Sequence, residues 1–82
     1  MEWNYITFRS VTYAQRGKKV LEEAQIPCTM IRSLGWMARK GCGYALKLRP
    51  EHGERAAALL TEQQADWLKR YSWDGTGRPE LL

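Results

Sequence analysis

The chain has 82 residues, of which 44% are hydrophobic and 27% are charged, and its mean hydropathy is −0.56. These values are typical of one soluble globular domain, and they exclude a multidomain enzyme with separate cofactor and substrate domains. The net charge is +4, and neither a run of about 18 apolar residues nor a signal-peptide pattern occurs, so we expect a cytoplasmic protein.

The first half of the chain predicts a strand, a helix and a second strand. Residues Trp3–Arg9 alternate between apolar and polar side chains, which predicts a strand with Ile6 and Phe8 facing the core. Apolar residues at helical spacing follow from Val11 to Gln25 and predict an amphipathic helix. A short β-branched segment, Cys28–Arg32, predicts the second strand.

The second half predicts two more strands and one more long helix. Residues 33–41 contain two glycines and favour a loop with at most one helical turn. Gly43–Arg49 predicts the third strand, and Pro50 is typical of the first turn of the helix that follows. Trp67–Trp73 alternates weakly and predicts a short last strand.

This β-α-β-β-α-β order predicts a ferredoxin-like α/β fold, in which a four-stranded antiparallel sheet carries two helices on one face. We expect residues 1–73 to form the single domain. Residues 74–82 contain two glycines and a proline, a composition that predicts a flexible C-terminal tail.

The densest group of reactive side chains is Arg39-Lys40-Gly41-Cys42-Gly43, where the loop meets the third strand. The flanking glycines leave the sulfur accessible and permit a positive φ, and the two cations favour the nucleophilic thiolate. No acidic residue occurs between Glu23 and Glu51, so Arg32 adds to a local positive field. Cys42 is therefore a candidate nucleophile, and a small core residue at the start of a strand is the alternative.

Three segments resemble the selenium/sulfur (Se/S) carrier protein-like family of short bacterial domains. They are YITFRSVTYA, KKVLEEAQIPCTMIR and GCGYALKLRPE, and the resemblance covers roughly residues 4–65. It implies that Cys42, followed by Gly43, accepts sulfur or selenium, and that the partner is a sulfur- or selenium-transfer protein. It also implies a carrier or accessory protein rather than a turnover enzyme.

The other thiol, Cys28, is expected to be structural. In the predicted hairpin it lies opposite Lys47 or Leu48, roughly 14 Å from Cys42, and a disulfide needs Cα atoms within about 7 Å. We therefore expect two free thiols. With one solvated histidine, His52, and no C-x-x-C motif, the chain predicts neither a metal site nor a cofactor.

Two other interpretations involve the sheet face. Lys40–Ala45 is similar to the third-strand motif of RNA-recognition domains, but Cys42 replaces a stacking aromatic residue and the alternation turns Tyr44 inward, which disfavours nucleic-acid binding. Several aromatic residues are expected to share the open face and to be buried in a homodimer or under the tail or a loop, with the dimer slightly favoured over the tail. They are Trp3, Tyr5, Trp67, Tyr71 and, less clearly, Trp73. A non-catalytic interaction module is thus the alternative function.

Overall fold

The structure of the chain is a computed structural model that describes residues 2–39, 41 and 43–82. Met1, Lys40 and Cys42 lie outside the described residues. In chain order, the elements are β1 (Trp3–Phe8), α1 (Val11–Glu23), β2 (Thr29–Arg32), α2 (Gly35–Ala38), β3 (Tyr44–Leu48), α3 (Pro50–Glu62), β4 (Arg70–Trp73) and β5 (Glu80–Leu81). Helix α2 is the single helical turn that the sequence allowed in the 33–41 segment.

One antiparallel sheet has the strand order β2-β3-β1-β4-β5. Phe8 at the end of β1 lies opposite Tyr44 at the start of β3, and Tyr44 also faces Arg32 at the end of β2. Beside them, the backbone N–H of Thr7 donates to the carbonyl of Lys69, which precedes β4. The C-terminal ends of β1 and β2 and the N-terminal ends of β3 and β4 therefore lie at the same end of the sheet. We call it the Gly43 end.

The expected mixed α/β fold with an antiparallel sheet is confirmed, but the number of strands was wrong. The described residues form five strands rather than the expected four. The extra strand, β5, lies in residues 74–82, where the sequence predicts a tail. Gly75 and Gly77, with φ of 93° and 63°, turn the chain back, and Leu81 then pairs with Tyr71 on the open edge of β4.

Helices α1 and α3 cover one face of the sheet, and the main hydrophobic core lies beneath them. Its buried members are Ile6, Phe8, Ala14, Leu21, Ile26, Leu46, Leu48, Ala56, Leu60 and Ala65. Gly17, in the middle of α1, packs so closely on Phe8 that an added Cβ would lie 2.6 Å from the Cζ atom of that ring. Close packing therefore explains a glycine that lowers the intrinsic stability of the helix.

Both long helices end in the same motif, with a glutamine in the left-handed region. Gln25 has φ 61° and Gln64 has φ 57°. The N–H of Ile26 donates to the carbonyl of Leu21 at 2.9 Å, and that of Gln25 donates to Glu22 at 3.0 Å, which is the Schellman pattern. Glycine is the usual residue at this position because it has no Cβ to clash.

We expect Gln25→Gly to raise the free energy of unfolding by about 0.5 kcal/mol, since relief of left-handed strain exceeds the entropy that glycine adds to the unfolded chain. Urea unfolding would measure the change. Gln15→Gly is the matched control, because Gln15 is exposed inside α1 and a glycine there should lower the same free energy by roughly 0.5–1 kcal/mol. The two variants moving in the same direction would contradict the expectation.

Candidate functional site

The predicted site is centred on Cys42, which with Lys40 lies outside the described residues. Its two neighbours in the chain, Gly41 and Gly43, are described. Gly41 has φ +80°, and the space that a Cβ would occupy there is open. Gly43 is held closely: its N–H donates to the carbonyl of Phe8 at 2.8 Å, and its own carbonyl accepts from Ser33 at 3.1 Å. An added Cβ on Gly43 would lie 2.5 Å from the carbonyl oxygen of Arg9. Gly41 is thus required by a left-handed backbone conformation, and Gly43 is required by the close approach of two backbone segments.

Gly43 packs against the N-terminus of α1. The position of its missing Cβ is 3.4 Å from the Cα atom of Ser10, the N-cap residue. Within the described part of the chain, the Ser10 side chain makes no capping hydrogen bond, and the first turn of α1 contains no acidic residue. The positive end of the α1 dipole therefore faces the Gly43 end. Its partial charge is balanced neither by a capping side chain nor by an acidic residue in the first turn.

Arginine residues lie on the chain segments next to Gly43. The guanidinium of Arg32 lies 5.9 Å from the ring centroid of Tyr44, with a long hydrogen bond of 3.5 Å to the Tyr44 hydroxyl. That hydrogen bond raises the pKa of Arg32 above its usual value, so the side chain stays charged. Arg39 is exposed at the end of α2, two residues before Gly41. The structure thus brings Arg32, Arg39, Gly41 and Gly43 of the predicted site to the same end of the sheet.

Sequence reasoning missed Arg9. Its guanidinium lies 5.5 Å from the ring centroid of Tyr13 and 3.7 Å from the carboxylate of Asp66, and both members of that ion pair are more than half exposed. The sequence feature that could have indicated Arg9 is its position directly after the first strand, where the chain enters α1. Its proximity to Gly43, however, depends on the pairing of β1 with β3.

A family model described as "Putative Se/S carrier protein-like" matches residues 4–72, from β1 to β4. The chain belongs to this family. No curated protein and no solved structure matches the chain. The Se/S carrier-like match includes Gly41, Gly43 and the surrounding arginines, and it ends before β5.

The second thiol of this Se/S carrier-like protein lies in a different environment. Thr29 faces Lys47 across the sheet, so Cys28 lies next to Leu48, as the sequence predicted. Cys28 is half-buried against the main core, and burial raises the pKa of its thiol; Lys18 opposes this shift and Glu22 adds to it. Burial therefore disfavours the thiolate form of Cys28, which is the nucleophilic one.

The second face of the sheet carries a smaller aromatic cluster, which α2 covers. Trp36 from α2 makes edge contacts with Tyr71 and Trp73, at centroid distances of 4.8 and 5.5 Å, and with Tyr5 at 6.4 Å. Tyr5 is 5% exposed and Tyr71 is 4% exposed, and Trp3 packs at the margin. We call these residues with Met37 the aromatic cluster. Its cover is the connection between β2 and β3, so a loop rather than the C-terminal tail lies over these rings.

Trp67 does not join the aromatic cluster, although the sequence placed it on the same face. It packs against the core beneath α1 and α3, and its Nε1–H donates to the Thr61 hydroxyl at 3.0 Å. The reason is that β4 begins at Arg70, so strand alternation does not extend back to Trp67. With Tyr13 and Arg16 it lines a surface groove of about 410 Å³.

Two absences hold for residues 2–39, 41 and 43–82, the part of the chain that the structure describes. No group of three or more His, Cys, Asp or Glu side chains there could hold a metal ion. None of the helices in the same residues is long and apolar enough to cross a bilayer.

Proposed function

We propose that this protein is a sulfur or selenium carrier and that Cys42 is the acceptor. The observation that carries the proposal is the packing of Gly43 on Arg9 and Ser10, in a chain that belongs to the Se/S carrier-like family. Gly43 packs on the N-terminus of α1, and Cys42 precedes Gly43 directly in the chain, where consecutive Cα atoms are about 3.8 Å apart. A helix N-terminus and nearby cations lower the pKa of a thiol and favour the thiolate.

The proposed reaction is an exchange between thiols. The Cys42 thiolate attacks the outer sulfur of a donor persulfide, R–S–SH, and a new S–S bond forms as the donor's S–S bond breaks. The donor leaves as a thiolate, and Cys42 carries the terminal sulfur with its proton, so no oxidant or reductant is needed. A donor of the form R–S–SeH would load selenium in the same way. Arg39, Lys40 and Arg32 would stabilise the attacking thiolate and the departing one.

We also propose that the fold is ferredoxin-like. The proposal that α1, α3 and the first four strands form a ferredoxin-like unit is supported by the order β2-β3-β1-β4 and by the packing of both helices on one face. A cytoplasmic location is a proposal supported by the two expected free thiols.

A homodimer also stays a prediction, and sedimentation of the full chain and of a chain ending at Trp73 would test it. Because α2 covers Tyr5 and Tyr71, a dimer would need a surface other than these two rings.

Loading of the protein tests the carrier function. After incubation with a cysteine desulfurase and free cysteine, or with selenide under mild oxidation, we expect the intact mass to increase by one sulfur or one selenium atom. Cys42→Ser should abolish the increase, and Cys28→Ser should leave it unchanged. The raised pKa of Cys28 also predicts that Cys42 is alkylated faster near neutral pH. An adduct that persists in Cys42→Ser, or equal alkylation rates, would reject the proposal.

A further inference from the structure

Two arginine–tyrosine pairs flank the Gly43 end in the described part of the chain. Arg32 lies over Tyr44 at the start of β3, and Arg9 lies over Tyr13 in the first turn of α1. Both guanidinium groups are exposed, whereas both rings are half-buried. Stacking on a fixed ring restricts each guanidinium before any ligand arrives, so less conformational entropy is lost when it binds a carboxylate.

The charge at this end is unbalanced. Arg39 and Lys69 are exposed there in addition to the two stacked arginines. Of the carboxylates nearby, Asp66 makes a single exposed ion pair with Arg9. Exposed ion pairs of this kind are weak and exchange readily with other carboxylates. The four exposed cations therefore outnumber the exposed carboxylates Asp66 and Glu62 on the neighbouring segments, and such an excess attracts anionic groups and accelerates their encounter.

A protein fits this surface better than RNA does. RNA-recognition domains with a similar sheet stack bases on exposed aromatic rings of the open face. Here Trp36 covers that face, and Tyr5 and Tyr71 are almost fully buried. Arginine and tyrosine, in contrast, are among the residues that contribute most to protein–protein binding.

We propose that the pairs Arg32–Tyr44 and Arg9–Tyr13, together with Arg39, form the docking surface for an acidic face of the protein that exchanges sulfur or selenium with Cys42. This inference rests on the proposed carrier function and specifies its partner: a protein with carboxylates around its own persulfide. The docking brings the two sulfur atoms together, and the thiol exchange then proceeds as described above.

Activated peptide disulfides test the docking surface. Two peptides of equal length carry one cysteine as a mixed disulfide with 2-thiopyridine, flanked by aspartates in one and by lysines in the other. The Cys42 thiolate attacks the peptide sulfur, the peptide–thiopyridine S–S bond breaks, and the released 2-thiopyridone takes up a proton and is read by absorbance. In a Cys28→Ser background, we expect the acidic peptide to react roughly 10- to 100-fold faster at low salt, and the difference to disappear at high salt.

Matched substitutions assign the effect to the proposed residues. The double variant Arg9→Gln, Arg32→Gln should remove most of the preference for the acidic peptide. Arg55→Gln should leave it unchanged, because Arg55 is exposed on the N-terminal half of α3, away from the Gly43 end. Equal rates for both peptides, or an equal loss in Arg55→Gln, would overturn the inference.

Failure of the carrier function would be recognised separately. A neutral disulfide, 2,2′-dithiodipyridine, should react with Cys42 at the same rate in the Cys28→Ser protein and in Arg55→Gln. Dividing each peptide rate by this neutral rate removes any effect of Arg32→Gln on the thiolate itself. A failure of the neutral disulfide to react would reject the acceptor role alone. Docking would then be measured by fluorescence anisotropy with the acidic peptide carrying serine in place of cysteine. No salt-dependent binding of that peptide would overturn the docking surface. Tighter binding of single-stranded RNA, lost in the same double variant, would also overturn it.

Discussion

Replacing Trp36 with alanine is expected to lower the free energy of unfolding by about 2–4 kcal/mol. The ring contacts Tyr5, Tyr71 and Trp73, and Met37 beside it is fully buried. Helix α2 has only four residues, too few to be stable without these contacts. Loss of the ring should therefore release the whole cover from the aromatic cluster, and urea unfolding followed by circular dichroism would measure the effect.

Trp36→Phe is the matched control for this prediction. The Nε1–H of Trp36 is buried without a hydrogen-bond partner among the described residues, and such a group costs about 1–3 kcal/mol. Phenylalanine keeps most of the ring contacts and removes the unpaired donor, so we expect a stability within about 1 kcal/mol of the parent protein. If the phenylalanine variant were as unstable as the alanine variant, or if neither differed from the parent, the packing argument would be wrong.

A second large effect is expected at Gly43. Gly43→Ala places a methyl group 2.5 Å from the backbone oxygen of Arg9, and neither partner can move without loss of the hydrogen bond between Gly43 and Phe8. We expect the free energy of unfolding to fall by about 2–3 kcal/mol. Under the proposed function, alkylation of Cys42 should also slow, because the shift moves Gly43, its neighbour in the chain, away from the N-terminus of α1.

Gly41→Ala separates steric overlap from backbone strain. The space around Gly41 is open, so the methyl group meets no neighbour. The free energy of unfolding should fall only by the cost of a left-handed conformation, about 1–2 kcal/mol. Urea midpoints of both variants, with iodoacetamide rates at Cys42, provide the comparison. A Gly43→Ala variant as stable as Gly41→Ala would show that the contact with Arg9 relaxes without cost.

The sequence predicted those parts of the fold that depend on local pattern. Alternation placed Ile6 and Phe8 on the covered face, and Pro50 begins α3 as expected. It failed for β5, because a two-residue strand carries no alternation and exists through its pairing with the edge of β4. It also failed for the position of α2, since four residues are too few for a hydrophobic period to indicate which surface they cover.

The sequence predicted only those residues of the candidate site that are close to Cys42 in the chain. Cations and glycines next to Cys42 are visible as neighbours in the sequence. Arg9 is more than thirty residues away from Cys42 in the sequence, and its proximity to Gly43 follows from the register between β1 and β3. Trp67 was misplaced because weak alternation cannot show where a strand begins.

The attachment of the β2–β3 connection at two points limits how far the chain between those points can move. Trp36 fixes one side on the sheet, and Gly43 fixes the other through its hydrogen bonds with Phe8 and Ser33. Between Ala38 and Gly43 the chain has four residues, so at a maximum of about 3.6 Å per residue it cannot reach more than roughly 10 Å from these anchors. A carrier built on this hairpin cannot work as a swinging arm between distant active sites. Each donor and each acceptor must instead come to the same small area of its surface, one after the other.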